Sequence, residues 1–260
     1  MILLYHNIVP DDAKHGFANQ SSVCLFKSQF KKQIEILSKF YNIIPLSDYL
    51  NYYNLNNSAQ KNTLSITFDD GTYLTYECLK DVLQKINLSA TIFVTTCQID
   101  EGDLIIGAYL NALCYEQIYA QVKINGLRLS LITKKEQVEA RKLLASYVKK
   151  NNYDKAFINN LKKHYPIPNT IKQYYRGMSS AQIRDAMNGD YIKIGSHSVN
   201  HFDLGKLTQN TQKKEIINSK NKLESISKKE IKFFAYPSGS YNLATLNIIE
   251  KAGYSHAFAV

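Results

Sequence analysis

Tryptophan is absent from this chain, and several patterns that would mark a non-globular protein are missing as well. No apolar run is long enough for a signal peptide or a membrane span, so we predict a cytoplasmic protein without a transmembrane segment. The cysteines form no Cys-x-x-Cys pair, which argues against a zinc knuckle and favours buried free thiols over a disulfide framework. These cysteines are Cys24, Cys78, Cys97 and Cys114.

An uninterrupted block of basic residues is also missing, although the formal net charge is +10. The excess lysines are spread among asparagines and isoleucines along several segments, a pattern typical of a solvated surface. The alternative is an anionic partner, such as nucleic acid, phospholipid headgroups or a phosphorylated or acidic sugar. We therefore expect no nucleic-acid partner, whereas peripheral contact with a membrane remains open.

The length and the order of predicted elements indicate one α/β domain over residues 1–260. With 260 residues, of which 45% are hydrophobic, the chain can bury a substantial core. Strand-like and helix-like segments alternate, which favours a largely parallel sheet. Predicted strands begin at about residues 1, 41, 63, 90, 191, 231 and 255. These seven units predict a distorted seven-stranded (β/α) barrel.

The alternation stops from about residue 103 to 178, a stretch too long for a single crossover connection. We predict an inserted subdomain of helices and one hairpin here. Its parts are a helix at 104–121, a hairpin turning at Asn125-Gly126, an amphipathic helix at 134–150 and a loop at 164–176. Ser179 or Ser180 is the expected cap of the helix that returns to the main body.

Two clusters of polar residues carry the chemistry. Asp69 and Asp70 directly follow the apolar strand at 63–68, and two adjacent carboxylates repel each other unless a cation compensates them. His197 and His201 are separated by three residues, so their imidazoles can converge on one ion. Each motif has an ordinary explanation when taken alone, a turn or a helix-surface pair. Together, Asp70, His197 and His201 predict a metal site with open positions for water and substrate.

Such a site is suited to hydrolysis. A metal lowers the pKa of its bound water from ~15.7 toward ~7 and polarises a carbonyl group beside it. Asp69 would then stay off the metal and accept the proton of that water, with a neighbouring cation keeping the pKa of Asp69 low. The predicted site residues all fall at the carboxyl ends of strands, the rim where parallel barrels build active sites. They are His6, Asp69, Asp70, His197, Tyr236 and Pro237.

Three motifs resemble those of the polysaccharide deacetylases of the carbohydrate esterase family 4 type, also called the NodB-homology domain. They are Thr67-Phe68-Asp69-Asp70-Gly71, His197-Ser198-Val199-Asn200-His201 and Phe234-Ala235-Tyr236-Pro237-Ser238-Gly239. The resemblance covers about residues 1–102 and 178–260. It implies that Asp69 is the catalytic base and that Asp70, His197 and His201 are metal ligands. It also implies that Tyr236, Pro237 and Ser238 line the groove, with the Ser238 N–H in an oxyanion hole.

The chain departs from the family pattern at three places. Ala235 stands where many members carry an arginine that orients the catalytic aspartate, and the tryptophan of another motif is absent. The usual last motif, a leucine and a histidine, is missing after Tyr254. The opening segment Ile2-Leu3-Leu4-Tyr5-His6 resembles that motif instead, as in a circularly permuted branch of the family. His6 would then be the general acid, and the alternative is a structural core histidine.

The expected function is therefore removal of the acetyl group from an N-acetylated amino sugar, which releases acetate and an amine. Zinc is the expected ion, and cobalt, nickel and iron are compatible with the same ligands. We expect a glycan or a glycan precursor of the cell envelope, capsule or lipopolysaccharide, and a phosphate-linked sugar would suit the positive charge. Two alternatives stay open. One is an inactive glycan-binding module, and the other is a non-haem iron oxygenase, against which Asp69 argues.

The predicted insertion separates the two metal-ligand motifs in sequence, and we expect it on the active-site side as a lid or glycan-recognition element. Tyr174 and Tyr175, near its end, either stack on sugar rings or pack as ordinary tyrosines.

Overall fold

A computed structural model describes residues 1–13, 24–56, 60–100, 102–124 and 126–260 of the chain. The strands are β1 (Ile2–Tyr5), β2 (Asn7–Val9), β3 (Cys24–Phe26), β4 (Asn42–Ile43), β5 (Thr63–Phe68), β6 (Ala90–Val94), β7 (Gln121–Ile124), β8 (Leu127–Ser130), β9 (Ile192–Ser196), β10 (Phe233–Ala235) and β11 (His256–Phe258). The helices are α1 (Lys27–Leu37), α2 (Leu46–Asn56), α3 (Tyr73–Ile86), α4 (Ile106–Tyr115), α5 (Lys134–Lys150), α6 (Lys155–His164), α7 (Asn169–Tyr175), α8 (Ser180–Asn188), α9 (Gln209–Ser227) and α10 (Leu243–Lys251).

Seven strands form one parallel sheet, which confirms the predicted α/β fold. Their order is β1-β5-β6-β9-β10-β11, and β4 pairs with the start of β5. The sheet curls into an open half-barrel. Side chains of β1 and β11, at the two ends of the sheet order, line a common cavity inside the curl although these strands do not pair in the described part of the chain.

The sequence of the central strands explains their position. Every residue of β5 and of β6 is buried, as expected for parallel strands covered on both faces. On the outer face, Phe68 and Ile194 belong to the main core with Leu79 of α3 and Ile216 of α9.

Helix α2 packs against the inside of the curl. Its Leu46 and Leu50 contact Phe93 and Ala235 in a separate apolar cluster. This helix begins at Leu46, and Ser47 lies in its first turn.

The strands β2 and β3 form a small parallel pair that the sequence pattern does not predict. Strand β2 directly follows His6.

Residues 104–175 form most of a second hydrophobic cluster, which includes Leu110 of α4, Leu144 of α5 and Leu161 of α6 and also contains Phe202. The predicted hairpin is present as β7 and β8, and α5 has the predicted bounds. The turn position Asn125 lies outside the described residues. That this segment is an insertion within the domain stays a prediction.

Two expectations for this segment are wrong. Helix α4 ends at Tyr115 instead of continuing to residue 121. The stretch 164–176 is not wholly a loop, because α7 forms there with Pro168 as its N-cap, and proline is well tolerated at the start of a helix. Helix α6 was not predicted. The return helix α8 is capped by Ser179, whose hydroxyl accepts from the Gln182 N–H.

The cysteines agree with the prediction of free thiols. All four are unpaired, and Cys24, Cys78 and Cys114 are buried. Within the described ranges, no helix combines the length and the apolar character needed to cross a membrane.

Candidate metal centre

The two adjacent aspartates are separated by a sharp change of backbone direction at the end of β5. Asp70 has φ 71° and Gly71 has φ 66°, both in the left-handed region. Glycine is required at position 71, since a Cβ there would approach Val94 Cα to 2.9 Å. The Asp70 carbonyl accepts hydrogen bonds from Thr95 N at 3.3 Å and Gln98 Nε2 at 3.1 Å. The turn is thus held by two donors from the segment that follows β6.

As a result, the two carboxylates face different surroundings. Asp70 lines a cavity of about 200 Å³ together with His6 and His201. Asp69 is buried and lines a second cavity of about 180 Å³ inside the curled sheet. The two neighbouring carboxylates thus border different cavities.

His197 follows β9 and is oriented by a hydrogen bond to the next strand. Its Nδ1 lies 2.8 Å from the backbone carbonyl oxygen of Ala235. Because a carbonyl oxygen only accepts, Nδ1 must carry the proton, which leaves the Nε2 lone pair free to bind a metal. That Nε2 lies 3.8 Å from Asp69 Oδ2 and 3.9 Å from Asp70 Oδ1.

The loop from His197 to His201 is held by a buried carboxylate of α9. Glu215 Oε2 accepts from the backbone N–H groups of Val199 at 3.1 Å and Asn200 at 2.7 Å, and Oε1 accepts from Asn200 Nδ2 at 2.6 Å. His201 has φ 60°, and its N–H donates to Ser198 Oγ at 3.1 Å. The sequence analysis missed Glu215, because only the packing of α9 places this carboxylate against the loop.

The three predicted ligands come together. One ligand atom each from Asp70, His197 and His201 lies within 4.8 Å of the others, and His201 Nε2 is 3.3 Å from Asp70 Oδ1. Ligand atoms bound at roughly 2.0–2.2 Å to one zinc ion are separated by about 3–4 Å, so small side-chain adjustments suffice. Asp70 Oδ1 is buried and has no hydrogen-bond partner among the described residues. These residues fit a divalent cation.

Burial sets the protonation of the imidazoles. It lowers the pKa of both His197 and His201, and the negative charge of Asp70 only partly opposes this effect. Both imidazoles are therefore neutral near neutral pH, which is the form that binds a metal.

The pKa of Asp69 is shifted in the opposite direction. Burial, and secondly the charge of Asp70, raises the pKa of Asp69 to about 7, against the opposing influence of His6 and His201. Its Oδ1 has no hydrogen-bond partner in the described ranges. The lower pKa expected beside a cation stays a prediction.

His6 reaches the site through the pairing of β1 with β5. Tyr5 pairs with Phe68, and the Asp69 N–H donates to the Tyr5 carbonyl at 3.0 Å, so His6 follows directly beside Asp69. Its side chain is partly buried and lines the cavity that contains Asp70 and His201. This position is compatible with a general acid, and that role stays a prediction.

The third motif lies at the end of β10. Tyr236 and Pro237 are buried, whereas Ser238 is exposed in a tight turn with φ 54°. Tyr236 lines the cavity of about 180 Å³ with Asp69 and Ala235. The methyl group of Ala235 therefore borders open space next to Asp69, and Asp69 forms no ion pair with a described arginine or lysine. The predicted groove and oxyanion roles of Tyr236, Pro237 and Ser238 stay predictions.

One wall of the cavity at the metal centre comes from the segment 104–175. That wall consists of Ile105, Gly107, Ala108, Asn111, Arg141, Tyr174 and Tyr175. The predicted insertion thus borders the site, as a lid or recognition element would.

Comparisons with solved structures show the same fold. PplD, a deacetylase of Streptococcus pyogenes solved in complex with acetate, is 20% identical with a TM-score of 0.57, over 100% of this chain and 82% of that one. IcaB from Ammonifex degensii is 16% identical with a TM-score of 0.61, over 100% and 82% of the two chains. The BpsB deacetylase domain from Bordetella bronchiseptica is 13% identical with a TM-score of 0.58, over 100% and 87%.

Sequence comparisons agree with this fold. YxkH of Bacillus subtilis (strain 168), which is named as a polysaccharide deacetylase, is 36% identical over 63 residues. That match spans 24% of this chain and 23% of the length of YxkH. The family model described as polysaccharide deacetylase matches residues 56–257. Since this match covers well over half of the chain and includes all three predicted metal ligands, the chain belongs to the polysaccharide deacetylase family.

Proposed function

We propose that this protein is a metal-dependent deacetylase that hydrolyses the N-acetyl group of an amino sugar in a glycan or glycan precursor. The observation that carries the proposal is the convergence of Asp70, His197 and His201 within 4.8 Å, with the buried carboxylate of Asp69 beside them. Membership of the polysaccharide deacetylases supports the reaction class. The acetate bound to PplD of Streptococcus pyogenes is the product that such a reaction would release.

Each residue has a distinct task in the proposed reaction. When bound, a divalent cation supplies Lewis acidity toward the acetyl carbonyl. Asp70, His197 and His201 would hold that cation, and the Ala235 carbonyl keeps the Nε2 of His197 turned toward the site. Asp69 would accept the proton of the attacking water.

The leaving group needs a proton when the carbon–nitrogen bond breaks. His6 lies on the same cavity as Asp70 and would donate that proton to the departing amine. The backbone N–H of Ser238 would stabilise the negative charge that develops on the acetyl oxygen. The products are acetate and a free amino sugar.

Zinc is the proposed ion, although the same ligand set accommodates cobalt, nickel or iron. The proposed setting is biosynthesis of cell envelope, capsule or lipopolysaccharide glycans. The cavity of about 200 Å³ is smaller than the roughly 300–1,000 Å³ of drug-sized sites, and this favours recognition of a single sugar residue.

Acetate release tests the proposal. The zinc-loaded protein is incubated with acetylated chitooligosaccharides and with nucleotide-linked N-acetylhexosamines. We expect Asp69→Asn to lower turnover by about 10²–10⁴-fold, the usual contribution of a general base. Asp81→Asn is the matched control, because Asp81 is exposed on α3 and forms a surface ion pair with Lys27. It should retain wild-type activity.

The same assay separates the alternatives. Sugar binding without any acetate release, with metal supplied, would replace the proposal by an inactive glycan-binding module. Oxygen consumption by the iron-loaded protein in the presence of sugar would support an oxygenase.

A further inference from the structure

We propose that Arg141 forms an anion-binding subsite in the cavity at the metal centre, and that it binds a phosphate or carboxylate group carried by the substrate. The inference rests on the proposed function, since it assigns the chemical class of the sugar that is deacetylated. Arg141 lies outside the three sequence motifs.

The location of Arg141 is the first observation. It belongs to α5 and lines the same cavity of about 200 Å³ as His6, Asp70 and His201. A sugar with its acetamido group at the metal ligands would therefore share this cavity with Arg141.

The second observation concerns the partners of the guanidinium group. Arg141 Nε donates to Asn111 Oδ1 at 2.6 Å, which fixes the plane of the group. Arg141 is partly buried, and it forms no ion pair with any Asp or Glu of the described ranges. Burial lowers the pKa of Arg141, but an arginine remains charged at neutral pH. A partly buried positive charge without a carboxylate is unfavourable unless a ligand compensates it.

The third observation is a glycine beside Arg141. Gly107 lies in the first turn of α4, where glycine is less favourable than alanine. A Cβ at this position would meet nothing closer than Arg141 Nη2 at 4.0 Å, and the φ of Gly107 is not positive. Neither packing nor backbone conformation requires glycine here. Its presence keeps space open next to the guanidinium group, as a bound ligand would need.

The chemistry of the guanidinium group indicates the ligand. Its planar arrangement of N–H donors matches the two oxygens of a carboxylate or phosphate in a bidentate contact. Gly107 and Ala108 of the same wall belong to the start of α4, whose N-cap residue Ile105 makes no side-chain capping hydrogen bond. The positive end of that helix adds to the field of Arg141. An oxyanion is therefore favoured over a neutral sugar hydroxyl.

Paired substrates test this assignment. The zinc-loaded wild type, Arg141→Met and Arg128→Met are compared on N-acetylglucosamine 1-phosphate, N-acetylmuramic acid and the neutral methyl N-acetylglucosaminide. Arg128 is an exposed arginine on β8 of the same segment and serves as the control. We expect Arg141→Met to lower kcat/KM by about 10- to 100-fold on the preferred charged sugar and to leave the neutral sugar nearly unchanged.

The charged sugar that the wild type prefers shows whether the natural substrate carries a phosphate or a carboxylate group. Equal losses on the charged and neutral sugars, or a wild type that shows no preference for charge, would overturn the subsite.

Binding of inorganic phosphate gives a readout that does not depend on turnover. Calorimetry at equal zinc loading should show weaker binding to Arg141→Met than to Arg128→Met, by about 10-fold or more. Gly107→Ala should unfold at the same or a higher temperature and yet bind phosphate more weakly, since the added methyl group occupies the ligand space. If Arg141→Met and Gly107→Ala both bind phosphate as tightly as the wild type does, the inference is refuted. If no sugar is deacetylated, the proposed function fails, and these isotherms still decide the subsite.

Discussion

His197 donates a hydrogen bond from Nδ1 to the backbone carbonyl of Ala235, 2.8 Å away, and so links the residue after β9 to the last residue of β10. The hydrogen bond fixes the tautomer of the imidazole and the direction of its Nε2. In protein stripped of metal, we expect NMR to find the His197 proton on Nδ1, with slow exchange, at pH 7. Added zinc should shift the Nε2 resonance and leave the Nδ1 proton in place. A proton on Nε2 in the stripped protein would contradict this orientation.

Glu215 is expected to act as a positioning residue for the loop that carries both histidines. Glu215→Gln removes a charged acceptor from the N–H groups of Val199 and Asn200. We expect zinc affinity to fall by about 10–100-fold, as for other residues that orient metal ligands, and stability to fall by about 1–3 kcal/mol. Chelator competition measures the affinity, and urea unfolding measures the stability.

Glu224→Gln is the matched control for that experiment. Glu224 also lies on α9 and accepts a hydrogen bond from the backbone N–H of Ile231 at 3.0 Å, but it lies outside the metal-ligand loop. This variant should lose stability and keep its zinc affinity. If the two variants bind zinc equally well, Glu215 has only a structural role.

The raised pKa of Asp69 predicts a stability cost that depends on pH in protein stripped of metal. A carboxyl group whose folded-state pKa of about 7 lies above its ordinary value of 3.8 binds its proton more tightly when folded. The cost of ionising it is absent below pH 3.8, grows as the pH rises toward 7 and is complete above that. Asp69→Asn should therefore gain stability, from almost none at low pH to roughly 4 kcal/mol at pH 8.

Denaturant unfolding of the stripped protein from pH 4 to 8 measures this gain. Asp81→Asn, at an exposed position, should show little dependence on pH. A difference between wild type and Asp69→Asn that stays constant with pH would mean that Asp69 does not carry the raised pKa.

The proposed role of His6 predicts a dependence on the leaving group. His6→Gln should lower kcat on an N-acetylated sugar by about 10²–10⁴-fold, because the departing amine must be protonated. The kcat on 4-nitrophenyl acetate should fall much less, because the leaving group of this substrate departs without a proton. His164→Gln, at an exposed position on α6, is the control. Equal losses on both substrates would assign His6 a structural role.

The fold and the metal ligands could be predicted because their signals are local. Apolar runs such as Thr63–Phe68 mark buried strands. Asp69 and His197 directly follow such strands, and Asp70 and His201 lie in the loops just beyond them. The parallel sheet then brings the strand ends together, so distant motifs meet without further information.

What the sequence did not reveal depends on tertiary contacts. Glu215 and Arg141 lie on helices in ordinary polar patterns, and only packing places one against the histidine loop and the other on the cavity. The helix α7 was missed because Pro166 and Pro168 suggested a loop, whereas Pro168 stands at its start. The short strands β2 and β3 have too few residues for a periodic signal.

Zinc affinity of two neighbouring isosteric variants tests the central claim most directly. Chelator competition on wild type, Asp70→Asn and Asp69→Asn should show one zinc per chain for the wild type and an affinity close to it for Asp69→Asn. Asp70→Asn should bind zinc more weakly by more than about 100-fold. This variant loses a metal ligand, and such a loss costs more affinity than the loss of a residue that only orients a ligand. A wild type that binds no zinc, or equal losses in both variants, would contradict a site built from Asp70, His197 and His201 with Asp69 free beside it.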